Sequence, residues 1–289
     1  MPPRFVLYMG VHGGRDMYLD KEEYAVSTFS FLNAPLDVAL EHISRSGFSW
    51  VEIWGDAVHA DPRAGIHART LASMLKRHAL KLHSLHLPFR NMLLRSSPKD
   101  SLVYRMQVLH DAIDLCARIE CPIAVIHPLD RNEYNYGYDA VAMLHDLFEH
   151  LSAYADAHNV ALAMENIPSQ AAVPQEIRCT IDELNTLFGD IPTMKWCLDI
   201  GHVAVTGHEL ASEIKAAGKR LASCHVHNND GKHDSHDLPD QGIIDWPGTY
   251  SLLRNSGYTG RFVFEVAGGA HPSEIIASLS TLFDQRRNV

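Results

Sequence analysis

Eight short apolar runs recur along the chain, and they constrain its fold more than any other feature of the sequence. Each run is rich in β-branched residues and is separated from the next by a longer segment, the pattern of buried strands. The predicted strands are Arg4–Val11, Trp50–Trp54, Lys81–Leu87, Pro122–His127, Val160–Asn166, Lys195–Ile200, Leu221–His227 and Arg261–Val266.

The segments between these runs have apolar residues three or four positions apart, which is the period of an amphipathic helix. The predicted helices include Pro35–Gly47, Asp139–Asn159, Thr180–Phe188 and Ser273–Phe283. One of them opens with Thr180 followed three residues later by Glu183, which predicts a capping box at its first turn. Strands therefore alternate with helices along the whole chain.

This alternation, with about 35 residues per unit, is typical of a (β/α)8 barrel, and the alternative is a doubly wound open sheet. No glycine-rich phosphate loop follows a predicted strand, and polar residues able to bind metals end six different strands. Only a closed ring brings six strand ends together. We therefore predict an α/β fold, a single TIM-barrel domain over residues 1–289, with one of its longer loops at Val11–Asn33.

Charge and composition narrow the partners of the chain. The formal net charge is −10, which disfavours nonspecific binding to nucleic acid or to a membrane surface, because both are polyanions. The five cysteines form no CxxC pair, and the sequence shows neither a signal peptide nor a membrane span. We expect a cytoplasmic protein without a membrane partner, and the sequence leaves homo-oligomerisation open.

Histidines and carboxylates lie where the predicted strands end, which is where TIM-barrel enzymes place their active sites. In chain order they are His86, His127, Glu165, Asp199, His202, His225, His227, Asp234, His236 and Glu265. Side-chain alternation puts Glu165 on the same strand face as the small residues Ala161 and Ala163, facing into the barrel. Any one of these histidines is as readily explained as a rim residue, but together they predict a metal centre.

Inward-facing carboxylates are tolerated inside a barrel only when they are protonated or bound to a cation. Neutral imidazoles beside carboxylates supply the nitrogen and oxygen ligands that Zn²⁺ and Mn²⁺ accept. The pattern therefore predicts a divalent metal cofactor, Mn²⁺ or Zn²⁺, with one to three ions.

These strand ends resemble those of the xylose-isomerase-like TIM-barrel superfamily, which includes sugar and sugar-phosphate isomerases and epimerases and the endonuclease IV family of apurinic-site nucleases. The resemblance covers essentially the whole chain. It rests on Met-Glu-Asn at 164–166, Leu-Asp-Ile-Gly-His at 198–202, the segment 225–242 with Asp-Trp at 245–246, and Phe-Glu-Val at 264–266.

The two branches of this superfamily imply different metal sites. The epimerase branch implies one metal, held by Glu165, Asp199, His225 and Glu265. The endonuclease IV branch implies two further metals, and the added ligands would be His86 and His127 for one and His202, Asp234 and His236 for the other. All nine positions carry suitable residues. However, Met-Gly-Val-His-Gly-Gly-Arg-Asp at 9–16 replaces the glycine-rich opening of the nucleases, and their arginine-bearing DNA-bending loops have no convincing counterpart.

The predicted function is therefore a metal-dependent sugar or sugar-phosphate isomerase or epimerase, in which Glu165 and Glu265 are the catalytic base and acid beside a metal-bound carbonyl. The alternative is a phosphoester hydrolase in which Glu165 bridges two ions. The substrate is expected to be a small sugar-like molecule. Its predicted binding residues are Glu52, Trp54, Phe89, Arg90, Asn166, His227 and Trp246. For the two tryptophans the alternative is core packing, and for Arg90 it is a solvated rim position.

Overall fold

Eight parallel strands pair in chain order and close into a barrel, as predicted. The computed structural model describes residues 19–55, 59–90, 98–128, 139–168 and 180–284. The strands are β1 Tyr24–Ser27, β2 Trp50–Trp54, β3 Lys81–His86, β4 Ile123–Ile126, β5 Ala161–Glu165, β6 Lys195–Asp199, β7 Leu221–Val226 and β8 Phe262–Phe264. Tyr24 pairs with Phe262, and this contact between β1 and β8 closes the ring.

Helices connect the strands and surround the ring. They are α1 Leu36–Arg45, α2 Ala68–Arg77, α3 Pro98–Arg118, α4 Asp139–Ala157, α5 Ile181–Phe188, α6 Ile200–Thr206, α7 Leu210–Ala217, α8 Trp246–Asn255 and α9 Pro272–Asp284. The predicted capping box is present, because the Glu183 amide donates to Thr180 Oγ1 at 3.2 Å and the Thr180 amide donates to the Glu183 carboxylate at 3.1 Å. No helix within the described residues is long and apolar enough to cross a membrane.

The first strand lies later in the chain than the sequence pattern indicated. Strand β1 falls inside Val11–Asn33, which was predicted to be a loop, so that prediction is wrong for the part that the structure describes. The predicted strand Arg4–Val11 lies outside the described residues. The sequence signal of β1 is weak because the strand has four residues, all of them buried, and follows a charged turn.

The two faces of the strands pack against different surroundings. Outward residues such as Leu162 and Met164 join the main hydrophobic core under the helices. Inside the ring, a small separate cluster contains Val125, Ala163 and Cys197. Small side chains suit the narrow interior of an eight-stranded barrel. The predicted parity of β5 is therefore confirmed, and it directs Glu165 towards the mouth.

Candidate metal centre

The ligands predicted from the strand ends converge at the carboxyl-terminal mouth of the barrel. They form three adjoining groups, and in each group the candidate ligand atoms lie within 4.8 Å of one another. The β3–β4 group contains His86, His127 and Glu165; the central group contains Glu165, Asp199, His225 and Glu265; the loop group contains His202, Asp234 and His236, with His227 beside them. Glu165 belongs to two groups.

The β3–β4 group has the spacing of a metal site. His86 Nε2 lies 3.1 Å from His127 Nε2, and Glu165 Oε2 lies 3.3 Å from the first nitrogen and 3.4 Å from the second. Ligand atoms about 2.0–2.1 Å from a tetrahedral zinc ion are separated by about 3.3 Å. Three atoms at this spacing would fit one face of a tetrahedron around a bound ion, whose fourth position would remain for water or substrate.

The central group surrounds His225 with three carboxylates. His225 Nδ1 lies 3.3 Å from Glu265 Oε2, 3.5 Å from Glu165 Oε1 and 3.8 Å from Asp199 Oδ2. All four side chains are buried. These residues come from β5, β6, β7 and the end of β8, so four strands of the ring supply one ligand each.

The loop group joins the start of α6 to the loop that follows β7. Asp234 Oδ2 lies 3.2 Å from His202 Nε2 and 3.4 Å from His236 Nε2. The ring of His227 stacks on that of His236, with 3.8 Å between centroids and 16° between planes. Two imidazoles stacked face to face cannot both point their in-plane lone pairs at one ion. The candidate ligands of the loop group are therefore His202, Asp234 and His236.

Three ligand histidines have their second ring nitrogen fixed by a backbone carbonyl. The bonds run from Nδ1 of His86 to Leu87 O (3.0 Å), from Nδ1 of His202 to Asn166 O (2.7 Å) and from Nδ1 of His236 to Glu265 O (2.7 Å). Each bond places the proton on Nδ1 and leaves Nε2 as an acceptor that faces the ligand group. This is how metal-binding histidines are commonly held.

Buried polar atoms in these groups support the fit to divalent cations. Glu165 Oε2, His225 Nδ1, Asp234 Oδ1 and Glu265 Oε1 are buried and have no hydrogen-bond partner among the described residues. Such atoms are costly unless something compensates them. A cation bound by the surrounding oxygens and nitrogens would do so, and the mixed set suits Zn²⁺ or Mn²⁺.

The carboxylates and histidines shift each other's pKa values. Burial lowers the pKa of His202, but the charge of Asp199 and the hydrogen bond with Asp234 outweigh it and raise this pKa to about 10. Burial likewise opposes the contacts of His236 with Asp234 and Glu265, which raise its pKa to about 9. At neutral pH these imidazoles hold protons unless a cation replaces them, so metal binding must release protons.

The motif Leu-Asp-Ile-Gly-His requires its glycine because His227 packs against it. A Cβ atom at Gly201 would lie 2.0 Å from His227 Cε1. In this position His227 Nε2 is 3.0 Å from Asp199 Oδ1 and 3.1 Å from Oδ2, so it donates to a ligand carboxylate. Asn166 also holds Asp199 in position, because its side-chain oxygen accepts a hydrogen bond from the Asp199 backbone amide at 2.7 Å.

The residues predicted to bind substrate occupy different places. Trp54 stacks on His86 with 4.1 Å between centroids, and Phe89 stacks on His127 at 4.0 Å, so both flank the β3–β4 group. The Arg90 side chain is exposed, and its guanidinium lies 5.4 Å from the Phe89 ring. Phe29, which no sequence motif indicated, has its ring centroid 4.9 Å from those of both Trp54 and His236.

Two predicted binding residues are buried in other surroundings. Trp246 is buried and donates from Nε1 to Pro239 O at 2.8 Å, so the alternative interpretation, core packing, describes it. Glu52 is fully buried behind His225, with its carboxylate 3.2 Å from His225 Nε2. The structure therefore places Glu52 behind a ligand.

An eight-stranded parallel barrel with histidines and carboxylates clustered at its mouth defines the architecture of a TIM barrel with a candidate metal centre. The chain belongs to the xylose isomerase-like TIM barrel family, whose model matches residues 40–284. The resemblance predicted from the strand-end motifs is therefore confirmed.

Solved structures with this fold include a D-tagatose 3-epimerase-like protein, with a TM-score of 0.72 and 19% identity over 92% of this chain and 99% of that one. An AP endonuclease of family 2 from Brucella melitensis matches with a TM-score of 0.67 and 16% identity, over 89% and 98% of the two chains. At these identities the likeness establishes the fold alone.

A sequence relative is the uncharacterized protein y4fM of Sinorhizobium fredii, which is 24% identical over 164 residues. The match covers 55% of this chain and 52% of the relative, so the chain spans about half the length of that protein.

Proposed function

We propose that this protein is a multinuclear metal-dependent phosphoester hydrolase that acts on a small sugar-like substrate. The observation that carries the proposal is the position of Glu165. Its Oε2 faces the β3–β4 group, and its Oε1 lies 3.5 Å from His225 Nδ1 in the central group. Both oxygens are directed at imidazoles, which suits a bridge between two ions.

The same position argues against the proton transfer that the sequence favoured. In a one-metal isomerase, Glu165 needs an oxygen directed at a substrate C–H bond. Here Glu165 Oε2 lies 3.3 Å from His86 and 3.4 Å from His127, so those imidazoles occupy the space where the substrate carbon would sit. The bridging role therefore fits the geometry better than the role of base.

Charge also favours more than one ion. The three groups contain four carboxylates, from Glu165, Asp199, Asp234 and Glu265, so one divalent ion leaves the site negative and three make it positive. A positive site attracts a phosphoester, and a negative one repels it. Bound divalent ions would polarise a phosphoryl oxygen and lower the pKa of water.

The side chains around the β3–β4 group suit a small ring-shaped substrate. This group has three candidate protein ligands, which would leave a tetrahedral ion one position for water or substrate. Trp54 and Phe89 stand beside it, and the partly exposed Phe89 ring would pack against a sugar ring. Arg90 is exposed at the edge of this aromatic pair, where its guanidinium would meet a phosphate.

A second candidate function is the sugar isomerase or epimerase predicted from sequence. The central group alone supplies four ligands for one ion. Glu265 Oε1 is buried and has no hydrogen-bond partner in the described part of the chain, so this carboxylate oxygen could take part in proton transfer. The D-tagatose 3-epimerase-like neighbour makes ketohexoses the natural test substrates for this candidate.

Metal analysis combined with two substrate assays tests the choice. We expect two or three ions per chain and hydrolysis of sugar phosphates. His236→Ala should lower the metal content by about one ion and reduce hydrolysis by orders of magnitude, because it removes a ligand of the loop group. A matched control is His145→Ala, in an exposed His145–Asp146–Glu149 cluster on α4, which should change neither.

The opposite outcome would support the isomerase. One tightly bound ion, exchange of a sugar C–H with solvent deuterium and full metal content in His236→Ala would together contradict the hydrolase proposal. Efficient cleavage of DNA at abasic sites would contradict the small-molecule part of it.

A further inference from the structure

Glu52 is a buried carboxylate that no substrate can reach. It lies on β2 with no exposed surface, on the side of His225 opposite the central group. Its Oε2 is 3.2 Å from His225 Nε2 and accepts a 2.7 Å hydrogen bond from Ser84 Oγ. A carboxylate buried in this way is costly, so its position calls for a function that offsets the cost.

The partner of Glu52 shows what that function is. His225 directs Nδ1 at Glu165, Asp199 and Glu265, and it directs Nε2 at Glu52. Nδ1 of this imidazole therefore faces the three carboxylates of the central group, and Nε2 faces the single carboxylate of Glu52. A carboxylate that accepts from Nε2 fixes the proton there and makes Nδ1 the metal-binding atom.

His225 differs in this respect from three other candidate ligand histidines. His86 and His236 donate Nδ1 to neutral backbone carbonyls, and His202 donates Nδ1 to Asn166 O at 2.7 Å, closer than the Glu165 carboxylate at 3.3 Å. A charged acceptor makes an imidazole a stronger electron donor than a neutral one does. The central group should therefore hold its cation more tightly than either neighbouring group.

We propose that Glu52 is a positioning residue that acts through His225 and makes the central group the tightest metal site of the three. It touches neither substrate nor cation. The inference concerns metal affinity alone, so it holds whether the protein hydrolyses phosphoesters or isomerises sugars.

Glu52→Gln is the informative variant, because it keeps the size of the side chain and removes its charge. Competition with a metal chelator should show the tightest ion bound about 10- to 100-fold more weakly. In the metal-free protein, the free energy of unfolding should fall, because His225 loses a paired charge. A residue that merely supported the fold would weaken all the bound ions in step with its stability loss, whereas Glu52→Gln should weaken the tightest ion alone.

Two further variants serve as controls. Ser84→Ala removes the other hydrogen bond to the same oxygen but leaves the charge, so it should change the affinity for the tightest ion by less than about threefold. Glu52→Asp keeps the charge but withdraws it from His225, so it should weaken the tightest ion as Glu52→Gln does. This second variant preserves the test if the glutamine variant does not fold.

Imidazole NMR provides a readout that is independent of activity. The Nε2–H proton of His225 should resonate downfield in the metal-loaded protein and move upfield in Glu52→Gln, since a carboxylate deshields it more than an amide does. An affinity within twofold of the unsubstituted protein in Glu52→Gln, with an unmoved His225 resonance, would overturn the proposal.

Discussion

The inner and outer faces of the barrel strands are formed by neighbouring residues, but the outer face packs in the apolar core and the inner face carries the candidate metal ligands. On β6, Leu198 points outward into the main core, whereas Cys197 and Asp199 point inward. On β5, Met164 packs outward next to the inward Glu165. The outer face therefore supplies most of the buried apolar area, and the inner face supplies the ligands. Stability and metal binding can be changed separately along one strand.

Glu165→Gln should have the largest effect, and that effect should fall on the inner face alone. The change removes a charge from two ligand groups, so we expect activity to fall by about a thousandfold or more. The protein should remain folded, because the apolar core under the helices is unchanged. Met164→Leu, on the outer face one residue earlier, is the control and should retain both activity and metal content.

Leu198→Ala against Cys197→Ala tests the opposite side of the comparison. Loss of the fully buried Leu198 side chain should cost about 2–5 kcal/mol of unfolding free energy, with ligand binding preserved at a permissive temperature. Cys197→Ala removes one buried sulfur and should cost only about 1 kcal/mol. Urea unfolding measures both. A larger loss from Cys197→Ala would mean that the inner face carries the stability.

Gly201→Ala should lower stability and metal binding together, because the new methyl group contacts His227. Glycine to alanine inside a helix ordinarily stabilises a protein by about 0.5–1 kcal/mol. Here the new Cβ would lie 2.0 Å from His227 Cε1, so His227 must move away from Asp199. We therefore expect lower stability and weaker metal binding.

A double-mutant cycle checks this explanation for Gly201→Ala. In a His227→Ala background, the added methyl group should meet open space and become neutral or stabilising. An equal penalty in both backgrounds would rule out the contact with His227 as its cause.

The smallest predicted effect is the change in the free energy of unfolding with pH. The pKa values of His202 and His236 are raised to about 10 and about 9, above the value of about 6.5 expected for unfolded histidine. Folding therefore favours the protonated forms, and their contribution is complete below pH 6.5 and is lost as the pH rises through 9 and 10.

Unfolding experiments from pH 6.5 to 10 measure this contribution. With a chelator present, the free energy of unfolding should fall as the pH rises. With metal bound to these histidines, this part of the pH dependence should disappear. The same slope in both conditions would show that His202 and His236 do not exchange protons for metal.

The ring and its inward parity could be predicted from sequence because period-two alternation and strand–helix repetition are strong signals. The pattern around Ala163 and Glu165 is a clear case. Strand β1 gave no such signal, since Tyr24–Ser27 is short and buried on both faces. The wrong position for this strand also left Phe29 unnoticed, because Phe29 lies in the 3-10 turn Thr28–Phe31 that directly follows the strand and contacts the His236 ring.

Roles within the site were harder to predict than its location. Glu52 and Glu165 both have the signature of an inward carboxylate, and only three-dimensional distances show that one lies behind His225 and the other in front. Trp246 follows a long loop whose path the sequence does not determine, so the sequence left both substrate binding and core packing open for it, and its bond to Pro239 decides for packing. Periodicity reports which face a residue occupies but not its depth in the barrel.

Because the pairing of β1 with β8 closes the ring, the binding of metal should depend on how far the chain has folded. The ligands are spread from His86 to Glu265, and Glu265 reaches the central group only from the end of β8, the strand that pairs with β1. A partly folded chain that lacks this last pairing holds at most an incomplete central group. The slow arrival of long-range strand contacts should therefore set the time at which the tightest ion binds. In a refolding experiment, the signal of a metal-sensitive dye should then change at the same time as β8 pairs with β1.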